Sequence, residues 1–425
     1  MNHFFKMAKL RFGFRIFKLL LVFSLLSEKK SSANDGLNDH QSLVIHNPLN
    51  VERTNEVVVV SRKLFSQKNE SLVPVIKKGT KIYITQTIDR NHDGQWDELM
   101  VQVSLAPHAK DTLEVKWAKK NEQRTFQKTT NVHLSLRSDT GISSAEMNEA
   151  VRFRGFKQNI ARPYYQMEGP GIENDKVAFR VFFDYRNGKD IYGKIVDSLI
   201  LERVGIGATW HEMQYWGKDI LKVGNSLGAG ALAVQENKQI VRLGDADTTT
   251  FKVLYEGPLQ ASFVLDFKKW NVANGKKNGT ETISISKGNF YYKNEITLSL
   301  SRLQNLVAGI ANFGIDKLIY SIYNKQFSSI ATYGKQADGT DTNLGLAIMF
   351  TTDEYVQHAT TDSSSSVSNT SYVSLKPSPK KTLYFFACWE KTDKRFATAH
   401  GFAEYLQQTA DLLAKPIKIK IINKK

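Results

Sequence analysis

A single cysteine, Cys388, in a chain of 425 residues excludes an internal disulfide and a cysteine-built zinc site, so redox-motif and zinc-finger chemistry fall by count. Proline at 9 and glycine at 27 are too scarce for collagen-like or proline-rich architecture. No run approaches the ~20 apolar residues of a membrane-spanning helix. No segment recurs with a period of roughly 20 to 50 residues, which excludes solenoids and propellers of near-identical units. No predicted helix carries a Lys/Arg stripe and no recognition motif is present, so nucleic acid is not an expected partner despite the basic composition.

What is present is an ordinary globular balance, 41% hydrophobic and 24% charged, behind a basic leader. Residues 1–18 hold Lys6, Lys9, Arg11, Arg15 and Lys18 without an acid, and residues 19–26 continue as an apolar run. This is the outline of a signal peptide, with Ser31, Ser32 and Ala33 as the small residues before cleavage; residues 1–33 are therefore expected to be removed. An anchoring amphipathic helix is the alternative. The expected location is secreted or periplasmic. The leader accounts for +6 of the formal +16, leaving +10 on the remainder. That excess suits an anionic partner such as an acidic oligosaccharide or polysaccharide.

The rest reads as strands: 43–45, 57–60, 81–88, 99–105, 112–117, 177–185, 198–203, 250–255, 260–267, 282–286, 295–301, 344–350 and 383–389 are short β-branched or alternating runs between polar turns. Residues 177–185 are too apolar to have a wet face and are expected between packed sheets. One helix is expected over 393–413, stopped by Pro416, followed by an alternating Ile/Lys strand over 417–422 that forms a solvated edge. Residues 359–371 read as a polar surface loop. The prediction is an all-β fold, a large multi-sheet β-sandwich with one C-terminal helix, divided into an N-terminal β region (34–130) and a main sandwich domain carrying the site (131–425).

Three segments carry chemistry. In Asp89-Arg-Asn-His-Asp-Gly-Gln-Trp-Asp-Glu, the alternating oxygens of Asp89, Asn91 and Asp93 before Gly94 match the first half of a calcium loop, though position twelve is Met100. A structural calcium is the candidate cofactor, with none required for chemistry; a metal-free hairpin rich in Asx turns is the alternative. Arg180, Arg186, Asn187, Lys189 and Lys194 concentrate donors at a strand end and a charged turn, where guanidinium groups can clamp a carboxylate; an ordinary charged hairpin is the alternative. The segment 209–231 sets His211, Glu212, Tyr215, Lys218, Asp219 and Lys222 among Trp210 and Trp216. Titratable groups beside aromatic platforms suit a sugar site.

Residues 168–180 (Glu-Gly-Pro-Gly-Ile-Glu-Asn-Asp-Lys-Val-Ala-Phe-Arg), 184–187, 190–194 and 216–230 together resemble DUF family 4861, a secreted domain found among the polysaccharide-degrading genes of marine and gut bacteria. Asn47-Pro-Leu and the Asp89 loop extend the resemblance over most of the chain; Lys218 stands where the family pattern has Met. The resemblance implies export, a carbohydrate context often involving uronic acids, a β-sandwich in the style of the galactose-mutarotase-like supersandwich and, loosely, oligosaccharide dehydratase activity.

On a uronate, elimination across C4 and C5 needs a base for the C5 proton, donors for the carboxylate charge and an acid for the departing oxygen. His211 and Tyr215 are the expected catalytic pair. Arg180, Arg186, Asn187, Lys222, Trp210 and Trp216 are the expected substrate-binding groups. Loss of water would make a dehydratase and loss of a sugar a lyase. A glycoside hydrolase drawing on Glu168, Glu173, Asp184, Glu212 or Asp219 and a non-catalytic glycan-binding protein are the alternatives.

Overall fold

The computed structural model describes residues 41–423 except 68, 160, 237–238, 273–274, 299–303, 316 and 337–340. The leader read over 1–33 lies outside the described residues. Among the described residues the strands form five sheets in which every strand pair is antiparallel.

The nine-stranded sheet shows why the central strands are apolar throughout. Along Asn343–Thr351, Leu346, Ile348 and Phe350 enter the main core, while Ala347 and Met349 face the other way into a second cluster with Phe386 and Cys388. Alternation sends successive side chains to opposite faces, and here both faces are covered. The cover on the second face is the helix Ala399–Ala414, which contributes Phe402, Leu406 and Ala410. Each large apolar side chain buried this way stabilises by roughly 1.5–3 kcal/mol. Contact is close enough that a Cβ on Gly345 would lie 2.7 Å from the Phe402 ring. The helix starts later than the sequence predicts: Asp393 caps a short 3-10 turn, Lys394–Ala397, and Thr398 caps the helix proper by accepting from Gly401 N.

On the first face the nine-stranded sheet shares its core with two five-stranded sheets, one ordered Gly217–Asp219, Lys189–Lys194, Val177–Val181, Gly171–Glu173, Asn131–His133, the other containing Ala229–Glu236, Leu306–Ala311 and Thr370–Leu375. A further five-stranded sheet and a three-stranded sheet enclose a separate core around Phe65, Trp96 and Trp117. Into it the chain returns at its end: Lys418–Asn423 pairs with Gln41–His46 as the edge strand, Ile419 and Ile421 turned to the core and Lys418 and Lys420 to solvent. The molecule is thus a large antiparallel multi-sheet β fold with one C-terminal helix, as the sequence predicts.

Local differences have physical causes. The strand expected over 177–185 stops at Val181, because residues 183–186 form the turn that reverses the chain, with Asn187 N donating to Asp184 O. Residues 198–203 are turns, not a strand; Ile200 N and Leu201 N donate to the buried Glu173 carboxylate instead of to a neighbouring strand. Residues 189–194, read as part of a charged turn, form a wholly buried strand whose lysines are neutralised at a distance, Lys189 by Glu281 at 2.8 Å and Lys194 by Glu173 at 2.9 Å. The loop read over 359–371 is bounded by the paired strands Tyr355–Thr360 and Thr370–Leu375.

Candidate functional site

The site follows from strand parity. Along Val177–Val181, Val177, Phe179 and Val181 enter the main core, so Ala178 and Arg180 must face the opposite side of the sheet. Register puts Asp190 directly across from Arg180, and Tyr192 and Asp219 across from each other one strand further on. Three ionisable rows therefore meet on one face. Glu168 joins them from a turn in which it holds φ of +62°, a conformation that side-chain-bearing residues rarely adopt. Gly169 after it has φ of +155°, and a Cβ there would lie 2.1 Å from Val181 O.

Arg180 is the hub. Its guanidinium, 3% exposed, lies 2.5 Å from Asp190, 3.2 Å from Asp219 and 3.2 Å from Glu168. Arg186, 22% exposed, bridges Glu168 at 3.1 Å and Asp184 at 2.6 Å. The two guanidinium groups thus share four carboxylates. Beneath them lies Phe182, whose ring centroid is 4.8 Å from the Arg180 guanidinium and 4.2 Å from that of Arg186.

Burial and this surplus of acids set the protonation states. Burial, then the neighbouring Asp190, pushes the Asp219 carboxyl well above the ordinary aspartate range; burial raises Asp190 as well, against the pull of Arg180. Burial also pushes the Tyr192 phenol far up, and its hydroxyl is buried with no hydrogen-bond partner. Burial and the positive Arg180 lower His211 below the ordinary imidazole value. His211 stands at the outer edge, its side chain 70% exposed, with Nδ1 3.8 Å from Asp219 Oδ2 and Trp210 beside it at 5.8 Å between ring centroids. Nδ1 turned toward Asp219 leaves Nε2 as the nitrogen open to a ligand. The imidazole, with its proton affinity lowered, thus lies 3.8 Å from a buried carboxyl whose proton affinity is raised.

His211, Trp210, Arg180 and Arg186 are thus brought together, since Arg180 lies 5.1 Å from the Trp210 ring and shares Glu168 with Arg186. Tyr215 is on the same segment, 66% exposed at the tip of a tight turn closed by Gln214 and Gly217. Four expected substrate-binding roles need revision or restriction. Arg180 is fully committed to carboxylates of the protein and is buried from a ligand. Trp216 is a core residue, packed edge-on against Tyr192 at 5.8 Å in an apolar cluster with Met167 and Leu201. Asn187, buried with φ of +45°, donates to Leu243 O and to Glu281, so its amide braces the turn. Lys222 is exposed, its Nζ 5.0 Å from the Phe313 ring centroid, and no contact ties it to the Arg180 cluster among those described. In the sequence Asp190 and Tyr192 appear only as motif members, Asp219 as one of the titratable groups near Trp210 and, with Glu168, as a possible hydrolase carboxylate. The signal that joins them is the alternation of Ala178-Phe-Arg180 against Asp190-Ile-Tyr192.

The Asp89 loop lies in the N-terminal part and closes on itself. Asp89 Oδ2 accepts from Gly94 N, Asn91 Oδ1 from Asp93 N, Asp93 Oδ1 from Gln95 N and Asp97 Oδ2 from Arg90 N. Asp89 Oδ1 is buried without a partner. Among the described residues no group of three or more His, Cys, Asp or Glu side chains is placed to hold a metal, and none of the described helices is long and apolar enough to cross a membrane.

The family model described as "Domain of unknown function (DUF4861)" matches residues 45–419, and the chain belongs to that family. No curated protein matches the sequence. Among solved structures it is similar to an alpha-mannosidase from Enterococcus faecalis V583, with 10% identity and a TM-score of 0.49, over 91% of this chain and 46% of that one. It is also similar to a protein in the Glycosyl Hydrolase Family 38 from Enterococcus faecalis, with 11% identity and a TM-score of 0.49, over 91% of this chain and 48% of that one. The chain spans about half the length of these structures.

Proposed function

We propose that this DUF4861 chain is a secreted carbohydrate-active enzyme of polysaccharide breakdown that acts on uronate-containing oligosaccharides by β-elimination. The observation that carries the reading is the contact of His211, an exposed imidazole with a lowered pKa, with the Arg180–Asp190–Asp219 cluster, beside Trp210 and the half-exposed Arg186. His211 Nε2 takes the C5 proton, the C5 electron pair forms the C4–C5 double bond, and the C4–O bond breaks toward the leaving oxygen. Tyr215, at the tip of the same segment, is the donor to that oxygen. Arg186 offers the partially exposed cation for the sugar carboxylate, and Asp219, 3.8 Å from His211 Nδ1, is the carboxyl nearest the base. Water as leaving group gives a dehydratase, and a sugar gives a lyase.

A second reading, glycoside hydrolysis, rests on Glu168 and Asp219, which both contact Arg180. Their burial disfavours it, because neither carboxyl is open to a glycosidic oxygen. One assay separates the readings: uronate oligosaccharides are incubated with the mature protein while absorbance at the enol-ether band and product mass are followed. Elimination gives the band; hydrolysis gives cleavage with addition of water and no band. A non-catalytic binder gives neither, and its binding survives His211→Ala.

A further inference from the structure

Beyond the His211 cluster, an aromatic depression of about 440 Å³ opens beside the strand Glu149–Phe153, bounded by Phe153, Arg154, Phe156, Tyr164 and Tyr165. That strand is the last in the nine-stranded sheet and, among the described residues, pairs with Ala246–Tyr255 alone. Its alternation leaves Phe153 69% exposed, and Tyr164 across the depression is 56% exposed. Tyr164 is held in place, packed edge-on against Tyr165 at 4.9 Å and against Phe156 at 6.0 Å. Two large rings left open over a fixed aromatic floor are costly to hydrate unless a ligand covers them.

Among the ion pairs described at this edge cations outnumber acids, with Glu149 the exposed acid on the strand itself. Asp245 and Asp247 are shared among four cations, Arg152 and Arg154 on the first, and Arg154, Lys269 and Lys276 on the second. Lys157 adds another over the Tyr185 ring at 5.3 Å. A ligand that offers an apolar C–H face to the rings and an anionic group to this field is complementary to both.

The segments that line the depression are bonded directly to those that carry the Arg180 and Arg186 cluster. Tyr165 O accepts from Glu168 N at 3.1 Å, and Glu168 bridges Arg180 and Arg186. Phe156 O accepts from Tyr185 N at 3.1 Å, one residue before Arg186. We infer that the depression binds a distal anionic sugar residue, beyond the first two, of the same chain that occupies the His211 site, so that Phe153 and Tyr164 make the protein selective for oligomers over short saccharides. This rests on the reading of the His211 site as one for acidic saccharides.

The test uses the full mature chain carrying His211→Ala, so that turnover does not consume the ligand, with and without Phe153→Ser and Tyr164→Ser. Binding of galacturonate, mannuronate and glucuronate-containing disaccharides and hexasaccharides is measured by calorimetry. The expected result is that a hexasaccharide binds about tenfold or more tighter than its disaccharide, and that the double substitution erases this gain while leaving disaccharide binding unchanged. Unchanged disaccharide binding also shows that the variant is folded. Equal affinity for long and short ligands, or a hexasaccharide gain that survives the double substitution, overturns the inference and leaves the His211 reading standing. Absence of binding by every uronate at every length overturns that reading instead. A dimer that dissociates on the double substitution without change in saccharide binding assigns the rings to edge-to-edge pairing of two copies and also overturns the inference.

Discussion

Replacing Arg180 by Met tests the electrostatic account of the site most directly. The guanidinium is 3% exposed and touches Asp190, Asp219 and Glu168, so methionine fills its volume but leaves three buried carboxyls without their common cation. Removing one partner of a buried ion pair costs about 3–5 kcal/mol, because the remaining charge cannot be hydrated. The carboxyls can escape that cost by protonation, which makes the loss depend on pH. Burial already holds Asp219 above 3.8, its ordinary value, and only Arg180 opposes that shift among the nearby charges. Without Arg180 the folded-state values rise further, so at intermediate pH the folded protein binds more protons than the unfolded chain. Stability from such groups is fully present below the ordinary value and is lost as pH rises through the folded one.

Urea unfolding of parent and variant at pH 5, 6.5 and 8 measures the effect. The expected penalty is smallest at pH 5 and reaches about 3–5 kcal/mol at pH 8. Arg180→Lys should fall between, since one ammonium lacks the fork that addresses three acids together. A penalty that is flat across this range, or one below about 1 kcal/mol at pH 8, would refute the claim that Arg180 holds surplus carboxylates in place.

Other predictions address chemistry, metal and export. His211→Ala should lower turnover on uronates by ~10² or more while ligand still binds; full activity in that variant removes His211 from the mechanism. In the parent, the acid limb of turnover should lie below pH 6.5, because burial and Arg180 lower the imidazole and it works as the neutral base; a limb above that value contradicts the assignment. Arg186→Ala should weaken uronates far more than neutral sugars, and equal losses for both would exclude it as the carboxylate partner. Calcium is proposed to bind the Asp89, Asn91 and Asp93 loop structurally and to raise the melting temperature without affecting the chemical step; identical melting curves with and without chelator count against it. Native protein should begin near Asn34, and N-terminal sequencing that reads Met1 would overturn the export reading.

The apolar run at 177–181 and the Ile/Lys alternation at 417–422 were legible because burial on two faces and burial on one face leave different local patterns. Residues 189–194 were not, because Lys189, Asp190 and Lys194 read as solvated when their partners are not in view; Lys189 meets Glu281, far along the chain. The two tryptophans divide for a related reason. Trp216 precedes a buried strand and its indole lies inside the apolar cluster, whereas Trp210 is partly exposed and packs against the edge of that same cluster beside Arg180. Residue type identified the arginines as anion binders, but it does not count how many acids already occupy each fork. That count changes the functional argument. With Arg180 saturated, a sugar carboxylate must compete with Glu168 or Asp184 for Arg186. On the proposed reading, discrimination for acidic ligands depends on a guanidinium 22% exposed whose present partners are internal, and the buried carboxyl cluster would act on a substrate through the proton affinity of His211.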